Sequence, residues 1–263
     1  MAKAKAQNTD PGRGYLALST RPLHVLVFLL PLIVLYEAGT MFFLTDRARG
    51  VVETIRAHSI LLGVFQEAGV VGPFLPGLAL IAVLVAWQSI RRDPWRVRPI
   101  VLLGMAAECL AWTAPLFVLG GLIFRAIGGG GPGDGAAMAG IDLYEMSWPA
   151  RLTIAVGAGL YEELLFRMIG IAAVHFLIVD LFRRSDDTGR WVAVTVTAAA
   201  FALYHEIATR GGINWPLFTL FTGAGFYLGW LFLRRGFGIV VGVHALYDAL
   251  ILVVIPALRS PTT

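Results

Sequence analysis

The sequence predicts an all-α protein, a polytopic transmembrane helix bundle of seven to eight spans. Of its 263 residues, 57% are hydrophobic and 14% are charged, whereas about a quarter of the residues in a typical soluble domain are charged. The apolar residues gather in runs close to the ~20 residues that a helix needs to cross a bilayer. In addition, ionisable side chains interrupt three of these runs, where each costs roughly 2.5–3.5 kcal/mol at mid-membrane.

The predicted spans are apolar runs separated by charged or turn-forming residues. In chain order they are Leu23–Leu44, Phe74–Ile90, Pro99–Phe124, Trp148–Phe182, Trp191–Ala208, Trp215–Leu233 and Phe237–Leu258. The first run is too long for the apolar part of a signal peptide and has no small-residue cleavage site, so we interpret it as an uncleaved span. Tryptophans stand at several span edges, as in the aromatic belts of membrane proteins.

The segment Val51–Val70 mixes charged and aliphatic residues, and it is either an interfacial amphipathic helix or an eighth span. If it does not span, 13 basic residues fall on the side of the N-terminus and seven on the other side. This asymmetry predicts a cytoplasmic N-terminus, and it weakens if the segment spans. We predict an integral protein of the cell (inner) membrane, with a tail at 1–22, N-terminal membrane helices at 23–147 and a motif-bearing region at 148–258.

Other features limit the possible functions. The net charge of +4 reflects arginines in the predicted cytoplasmic loops, so no nucleic-acid partner is expected. The glycine-rich stretch Gly128–Gly135 is not followed by the Lys-Ser/Thr of a phosphate loop. A single cysteine, Cys109, excludes an internal disulfide. The expected partners are therefore membrane lipids and a substrate associated with the membrane.

The first polar cluster consists of Glu162, Glu163 and Arg167, near the middle of the span Trp148–Phe182. Glu163 and Arg167 are i,i+4 neighbours with the carboxylate on the N-terminal side, which favours an ion pair. Glu162 points to an adjacent face at ~100° per residue. It is left without that partner and is a candidate general base or proton carrier. Alternatively, all three form a buried ionic cluster that only specifies helix packing.

Two further pieces follow on later spans. His205 closes the span Trp191–Ala208, and taken alone such a histidine is more often a satisfied polar residue than a catalyst. His244 and Asp248 share one helix face, which suits a proton relay, a metal ligand or a polar clamp between helices. At ~1.5 Å per residue, His205 lies about 9 Å outside its span midpoint and His244 about 4 Å inside its own. Helix tilt or different helix ends must close this gap.

Taken together, the three pieces are more specific than any one of them. E-E-x3-R, then F-x3-H from Phe201 to His205, then H-x3-D resemble the motifs of the CPBP family, in the same order. These are intramembrane glutamic endopeptidases related to the CAAX prenyl endopeptidases and to bacteriocin-processing and immunity proteins. The resemblance covers about Trp148–Leu258 and implies a CPBP-like protease core. It implies hydrolysis of a peptide bond in a membrane-associated peptide or protein, without a metal or another cofactor.

Carried over to this sequence, the resemblance implies a role for each motif residue. Glu162 would be the general base that activates water, His205 would share that water, and His244 with Asp248 would stabilise the oxyanion. The residues expected to support this site are Glu163, Arg167 and Phe201.

Asp248 departs from the prenyl endopeptidase branch, in which asparagine typically stands at this position. An ionised aspartate cannot donate a hydrogen bond to an oxyanion. Asp248 is therefore either protonated or, as we prefer, orients His244 and keeps it cationic. The departure also argues against a prenylated substrate.

Two other function classes compete with the glutamic protease. A metal hydrolase would use His205, His244 and either Glu162 or Asp248 as ligands, but His205-Glu206 lacks the second histidine of H-E-x-x-H. A proton-coupled transporter or a catalytically silent membrane partner would keep the same buried groups. Transporters usually show two similar halves with broken spans, which we do not recognise here. Proteolysis that resists chelators would separate the protease from the first rival.

Overall fold

The computed structural model describes residues 14–46, 51–52, 55–126, 145–205, 207–209 and 212–259. The predicted glycine-rich connection at Gly128–Gly135 lies outside these residues. The helices are α1 (Tyr15–Ser19), α2 (Pro22–Leu44), α3 (Arg56–Glu67), α4 (Leu75–Arg91), α5 (Pro99–Ala126), α6 (Trp148–Leu181), α7 (Asp186–Tyr204), α8 (Trp215–Arg235) and α9 (Phe237–Leu258). Two short antiparallel hairpins pair β1 (Thr45–Asp46) with β2 (Val51–Val52) and β3 (Ala208–Thr209) with β4 (Gly212–Ile213).

Five of these helices are long and apolar enough to cross a membrane: α2, α5, α6, α8 and α9. They correspond to five of the predicted spans and confirm an all-α, polytopic membrane protein. Helix α4 is also apolar but has 17 residues. Helix α7 begins before its predicted span, because the Ser185 side chain caps it by accepting a hydrogen bond from the Thr188 amide. The predicted total of seven to eight spans remains a prediction.

Helix α3 bears on the alternative left open for Val51–Val70. Its 12 residues extend about 18 Å at 1.5 Å per residue, whereas the hydrocarbon core is ~30 Å thick. Ala57 and His58 are buried, while Ile60 and Val64 are exposed. This short helix therefore favours the interfacial interpretation, and with it the stronger asymmetry of basic residues.

Part of the predicted N-terminal tail is folded onto the bundle as α1. The Tyr15 hydroxyl donates to the Glu108 carboxylate, which also accepts a hydrogen bond from Arg235 Nη2 at 2.6 Å. The same Arg235 nitrogen donates to Ser19 Oγ at 3.0 Å. Burial, together with the hydrogen bond to Glu108, raises the pKa of Tyr15, so its hydroxyl stays a donor. These contacts hold α1 against α5 and α8.

One hydrophobic core joins the N-terminal helices to the motif-bearing helices. Its fully buried members come from both parts of the chain and include Leu29, Leu84, Met105, Leu160, Leu228 and Val241. Helices α6 and α9 approach especially closely, because a Cβ atom at Gly159 would lie 2.6 Å from Ala245 Cβ and 2.7 Å from its backbone nitrogen. This contact lies one turn before the acidic pair of α6 and directly beside His244, so it sets how closely the two motifs meet.

Candidate active site

The acidic motif lies in a part of α6 whose turns are wider than those of an ordinary α-helix. π-type turns cover Ala158–Glu162 and Leu164–Ile171, and such turns are frequent at functional sites. The predicted i,i+4 ion pair is present, with Arg167 Nε 3.1 Å from Glu163 Oε2. Both side chains are at most 1% exposed, so this pair is fully removed from solvent.

Glu163 has a second partner that the sequence did not predict. Its Oε1 atom lies 2.7 Å from Nδ1 of His244 on α9. Because an ionised carboxylate only accepts, the histidine nitrogen must be the donor. Glu163 therefore bridges the cation of its own helix and the imidazole of another helix.

Arg167 and Phe201 lie behind the acidic pair. Arg167 Nη2 donates to the Gly225 carbonyl oxygen of α8 at 3.3 Å, and its guanidinium carbon lies 4.5 Å from the centre of the Phe201 ring. The Phe201 ring centre is also 4.5 Å from that of His205 and 5.9 Å from that of His244. Phe201 thus packs against the buried cation and against both imidazole rings.

His205 is the first residue after α7, in extended conformation with φ −78° and ψ 157°. Its Nδ1 atom lies 2.7 Å from the Phe201 carbonyl oxygen, which can only accept. Nδ1 must therefore carry a proton, and in the neutral ring Nε2 is left as the acceptor. The ring stacks on Phe221 of α8 with centres 4.0 Å apart. The sequence analysis did not predict a role for Phe221, because nothing in the sequence distinguishes this aromatic residue from the many others.

The predicted catalytic side chains converge on one carboxylate oxygen. Glu162 Oε2 lies 3.8 Å from Nε2 of His205 and 3.9 Å from Nε2 of His244. His244 Nε2 is also 3.4 Å from Asp248 Oδ2, as expected for two residues on one helix face. The predicted offset between the two histidines is closed because α7 ends at Tyr204, which leaves His205 beyond the helix and turned towards α6.

Exposure within this cluster is uneven. Glu162 and His244 are 6% and 5% exposed, whereas the side chains of His205 and Asp248 are 22% and 24% exposed. The cluster therefore opens on the side of His205 and Asp248. Glu206, the neighbour of His205, lies outside the described residues.

Tyr204 and α3 also reach the site, and neither was predicted from the sequence. The Tyr204 hydroxyl faces the Glu162 carboxylate and accepts a hydrogen bond from the Ala57 amide at 2.7 Å. The next residue of α3, His58, packs against the Tyr161 ring, and burial lowers the pKa of His58. Tyr204 could have been predicted from the sequence, because it is a polar aromatic residue directly before the motif histidine His205. The sequence holds no comparable signal for α3, whose contact depends on packing.

The metal-hydrolase alternative needs several ligating side chains close together in the described part of the chain. There, no group of three or more His, Cys, Asp or Glu side chains is arranged to hold a metal ion. Glu162 lies 3.8 Å from His205 and 3.9 Å from His244, separations that leave a small gap between polar side chains.

Comparison with known protein families bears on the same part of the chain. Residues 144–250 match the family model described as type II CAAX prenyl endopeptidase Rce1-like. This match supports the CPBP/CAAX protease family for this region of the chain. The matched range contains all three motifs found in the sequence. Comparisons with curated proteins and with solved structures found no significant match.

The Rce1-like family is a family of proteases, and the match supports a CAAX-type intramembrane protease built on membrane-spanning helices. A membrane protease acts in general on a peptide substrate in or at the bilayer. Neither the roles of individual residues nor the argument from Asp248 against a prenylated substrate is tested by this match. Those points remain predictions.

Proposed function

We propose that this chain is a metal-independent, glutamic-type endopeptidase that hydrolyses a peptide bond in a membrane-associated substrate. The observation that carries the proposal is the position of Glu162 Oε2 between the Nε2 atoms of His205 and His244, at 3.8 and 3.9 Å. These separations are too long for direct hydrogen bonds and match groups that contact one small molecule between them. A water molecule held there would touch the base and both imidazoles at once.

The first step is activation of that water. The Glu162 carboxylate takes a proton from it, while Nε2 of His205 accepts its second hydrogen and orients it. This assignment follows from the hydrogen bond of His205 Nδ1 to the Phe201 carbonyl, which leaves Nε2 as the acceptor. The hydroxide then attacks the scissile carbonyl carbon. When the tetrahedral intermediate collapses, the proton on Glu162 passes to the departing amine.

The second requirement is a donor for the oxyanion that forms on the carbonyl oxygen. We assign this donor to Nε2–H of His244. Its Nδ1–H is held by Glu163 at 2.7 Å, and both ring nitrogens can donate together only in the protonated ring. Asp248 Oδ2, 3.4 Å from Nε2, favours that cationic ring by its charge. A contact of this length is a weak hydrogen bond, so the same N–H can also serve the oxyanion.

Glu162→Gln tests the proposal directly, because it keeps the shape of the side chain and removes the base. Wild type and variant, purified in lipid, are given a library of membrane-anchored peptides, with and without a chelator. General-base catalysis contributes about 10²–10⁴-fold, so we expect cleavage by Glu162→Gln to fall by at least ~10²-fold, with unchanged thermal melting. Chelation should leave wild-type cleavage intact.

Glu37→Gln is the matched control. Glu37 is a half-buried carboxylate of α2 that accepts a hydrogen bond from the Tyr161 hydroxyl at 2.8 Å, and glutamine can accept the same bond. Cleavage by this variant should stay within a few-fold of wild type. Near-normal turnover by Glu162→Gln would remove the mechanism, and loss of activity on chelation would favour the metal hydrolase. No cleavage by the wild type would move the assignment to a silent partner or a transporter.

A further inference from the structure

The N-terminus of α3 lies against Tyr204, the residue directly before the motif histidine His205. The first amides of a helix have no intrahelical acceptor, and Ile55 at the N-cap supplies no side-chain acceptor to α3. The Ala57 amide instead donates to the Tyr204 hydroxyl at 2.7 Å. A side chain of α7 therefore does for α3 what a serine or aspartate at the N-cap usually does.

This hydrogen bond determines what the hydroxyl can do next. An amide N–H can only donate, so the Tyr204 oxygen accepts with a lone pair and its own proton is left to donate. The group facing this hydroxyl is the Glu162 carboxylate, which in its ionised form only accepts. The donor-to-acceptor direction thus runs from the Ala57 amide to the Tyr204 hydroxyl and from that hydroxyl to the Glu162 carboxylate.

The tyrosine ring is held in this position from several sides. Arg56 Nη1 donates to the Tyr204 carbonyl oxygen at 2.6 Å, and its guanidinium carbon lies 5.5 Å from the ring centre. The rings of Phe166 and His205 meet the Tyr204 ring edge-on, with centres 5.3 and 5.2 Å away. Swinging the hydroxyl away from Glu162 would break contacts with helices α3 and α6 and with the ring of His205.

We propose that Tyr204 is a positioning residue, through which α3 holds the Glu162 carboxylate oriented and ionised for water activation. This inference rests on the proposed function. Arg56 and Ala57 lie outside residues 144–250, the region that matches the protease family. The site is therefore incomplete without a helix from the N-terminal part of the chain, and the proposal gives α3 a role in the reaction.

Other charged and titratable groups also act on Glu162, and the test must separate Tyr204 from them. From α6, α7 and α9 these groups are Glu163, Arg167, His205, His244 and Asp248. Tyr204→Phe changes none of them, because it removes one hydroxyl and keeps the ring. It isolates the contribution of the Tyr204 hydroxyl.

The first measurement needs no substrate. In infrared spectra of the full chain in lipid, the difference between wild type and Glu162→Gln identifies the carboxyl band of Glu162, and a pH titration gives the midpoint of its ionisation. A hydrogen bond to the charged form favours that form, so Tyr204→Phe should move this midpoint up by about one pH unit. Hydrogen exchange at the Ala57 amide should become faster in the same variant.

The second measurement is cleavage of a peptide found by the library assay. Tyr204→Phe should lower kcat by roughly 10-fold to 10²-fold at neutral pH with KM within about twofold, because the hydroxyl does not touch substrate. The acidic limb of the pH–rate profile should move to higher pH, together with the infrared midpoint. A residue that only stabilises the fold would lower the yield of active enzyme without moving either pH dependence.

Tyr227→Phe is the matched control. The Tyr227 hydroxyl donates to the Trp112 carbonyl oxygen at 2.6 Å, away from the acidic motif. This variant should leave the infrared midpoint, the exchange at Ala57 and the pH–rate profile unchanged. If Tyr204→Phe does not fold, 3-fluorotyrosine incorporated at position 204 keeps the hydroxyl and makes it a stronger donor, and the midpoint should then move down.

The outcomes separate this inference from the proposed function. A shifted midpoint without any cleavage by wild type would keep the link from α3 to Glu162 and remove the protease. Cleavage that depends on Glu162, with the same midpoint in Tyr204→Phe or fluorotyrosine protein as in wild type, would overturn the role of Tyr204 and keep the protease.

Discussion

At the scale of single residues, Glu163 is the group that makes the other buried charges tolerable. It forms an ion pair with Arg167 at 3.1 Å and accepts a hydrogen bond from His244 at 2.7 Å, and it is itself fully buried. Removing one partner of a buried ion pair leaves an uncompensated charge, which costs about 3–5 kcal/mol. Glu163 therefore specifies the local arrangement of α6 and at the same time keeps Nδ1 of His244 protonated.

Arg167→Met should lower the free energy of unfolding by about 3–5 kcal/mol, because it strands the Glu163 carboxylate without its cation. Thermal melting in detergent measures this loss. The control is Arg190→Met, since Arg190 forms an i,i+4 pair with Asp186 in which both side chains are 52% exposed. An exposed pair of this kind contributes about 0.3–0.5 kcal/mol. Equal melting temperatures for the two variants would contradict the buried pair.

At the scale of helices, the geometry of the site depends on how closely α6 and α9 approach. No side chain separates the helices at Gly159, where a Cβ atom would lie 2.8 Å or less from three atoms of Ala245. The hydrogen bond between Glu163 and His244 lies next to this contact. The distance between the two helices therefore also sets the distance between base and oxyanion donor.

Gly159→Ala should push α6 and α9 apart, costing about 1–3 kcal/mol through overpacking and sharply reducing cleavage. Melting and the peptide assay measure both effects. Gly121→Ala is the control, because a Cβ atom at Gly121 in α5 meets nothing within 4 Å. There the change from glycine to alanine in a helix should be neutral or stabilising by up to ~1 kcal/mol. A fully active Gly159→Ala enzyme would show that the close approach is not required.

At the scale of the whole molecule, the orientation in the membrane decides from which side a substrate meets the site. Helix α6 has 34 residues, more than the ~20 that a helix needs to cross the hydrocarbon core. We therefore expect its two ends to lie on opposite faces of the membrane. The asymmetry of basic residues predicts that the end near Ser185 is cytoplasmic and the end near Ser147 is not.

Cysteine labelling in intact cells tests this orientation, because the native Cys109 is only 3% exposed and wild type serves as a blank. Ser147 and Ser185 are both exposed. A membrane-impermeant maleimide should label Ser147→Cys from outside and Ser185→Cys only after the membrane is opened. The reverse pattern would invert the predicted topology and place the N-terminus outside.

The sequence by itself determined the class of protein, five of the spans and the pairings within a helix. Apolar runs and i,i+4 spacings are local properties of the chain, so the Glu163–Arg167 pair and the shared face of His244 and Asp248 could be predicted. The motif order pointed to the family that matches residues 144–250.

Only the tertiary structure decided what Glu162 meets. The hydrogen bond between Glu163 and His244 joins residues that are 81 positions apart in the sequence. The hydrogen bond between Ala57 and Tyr204 joins residues that are 147 positions apart. Periodicity along the chain carries no information about such pairs. They depend on where α7 ends and on how closely glycine lets α6 approach α9. Those are properties of helix packing, in which each helix is positioned by several others at once.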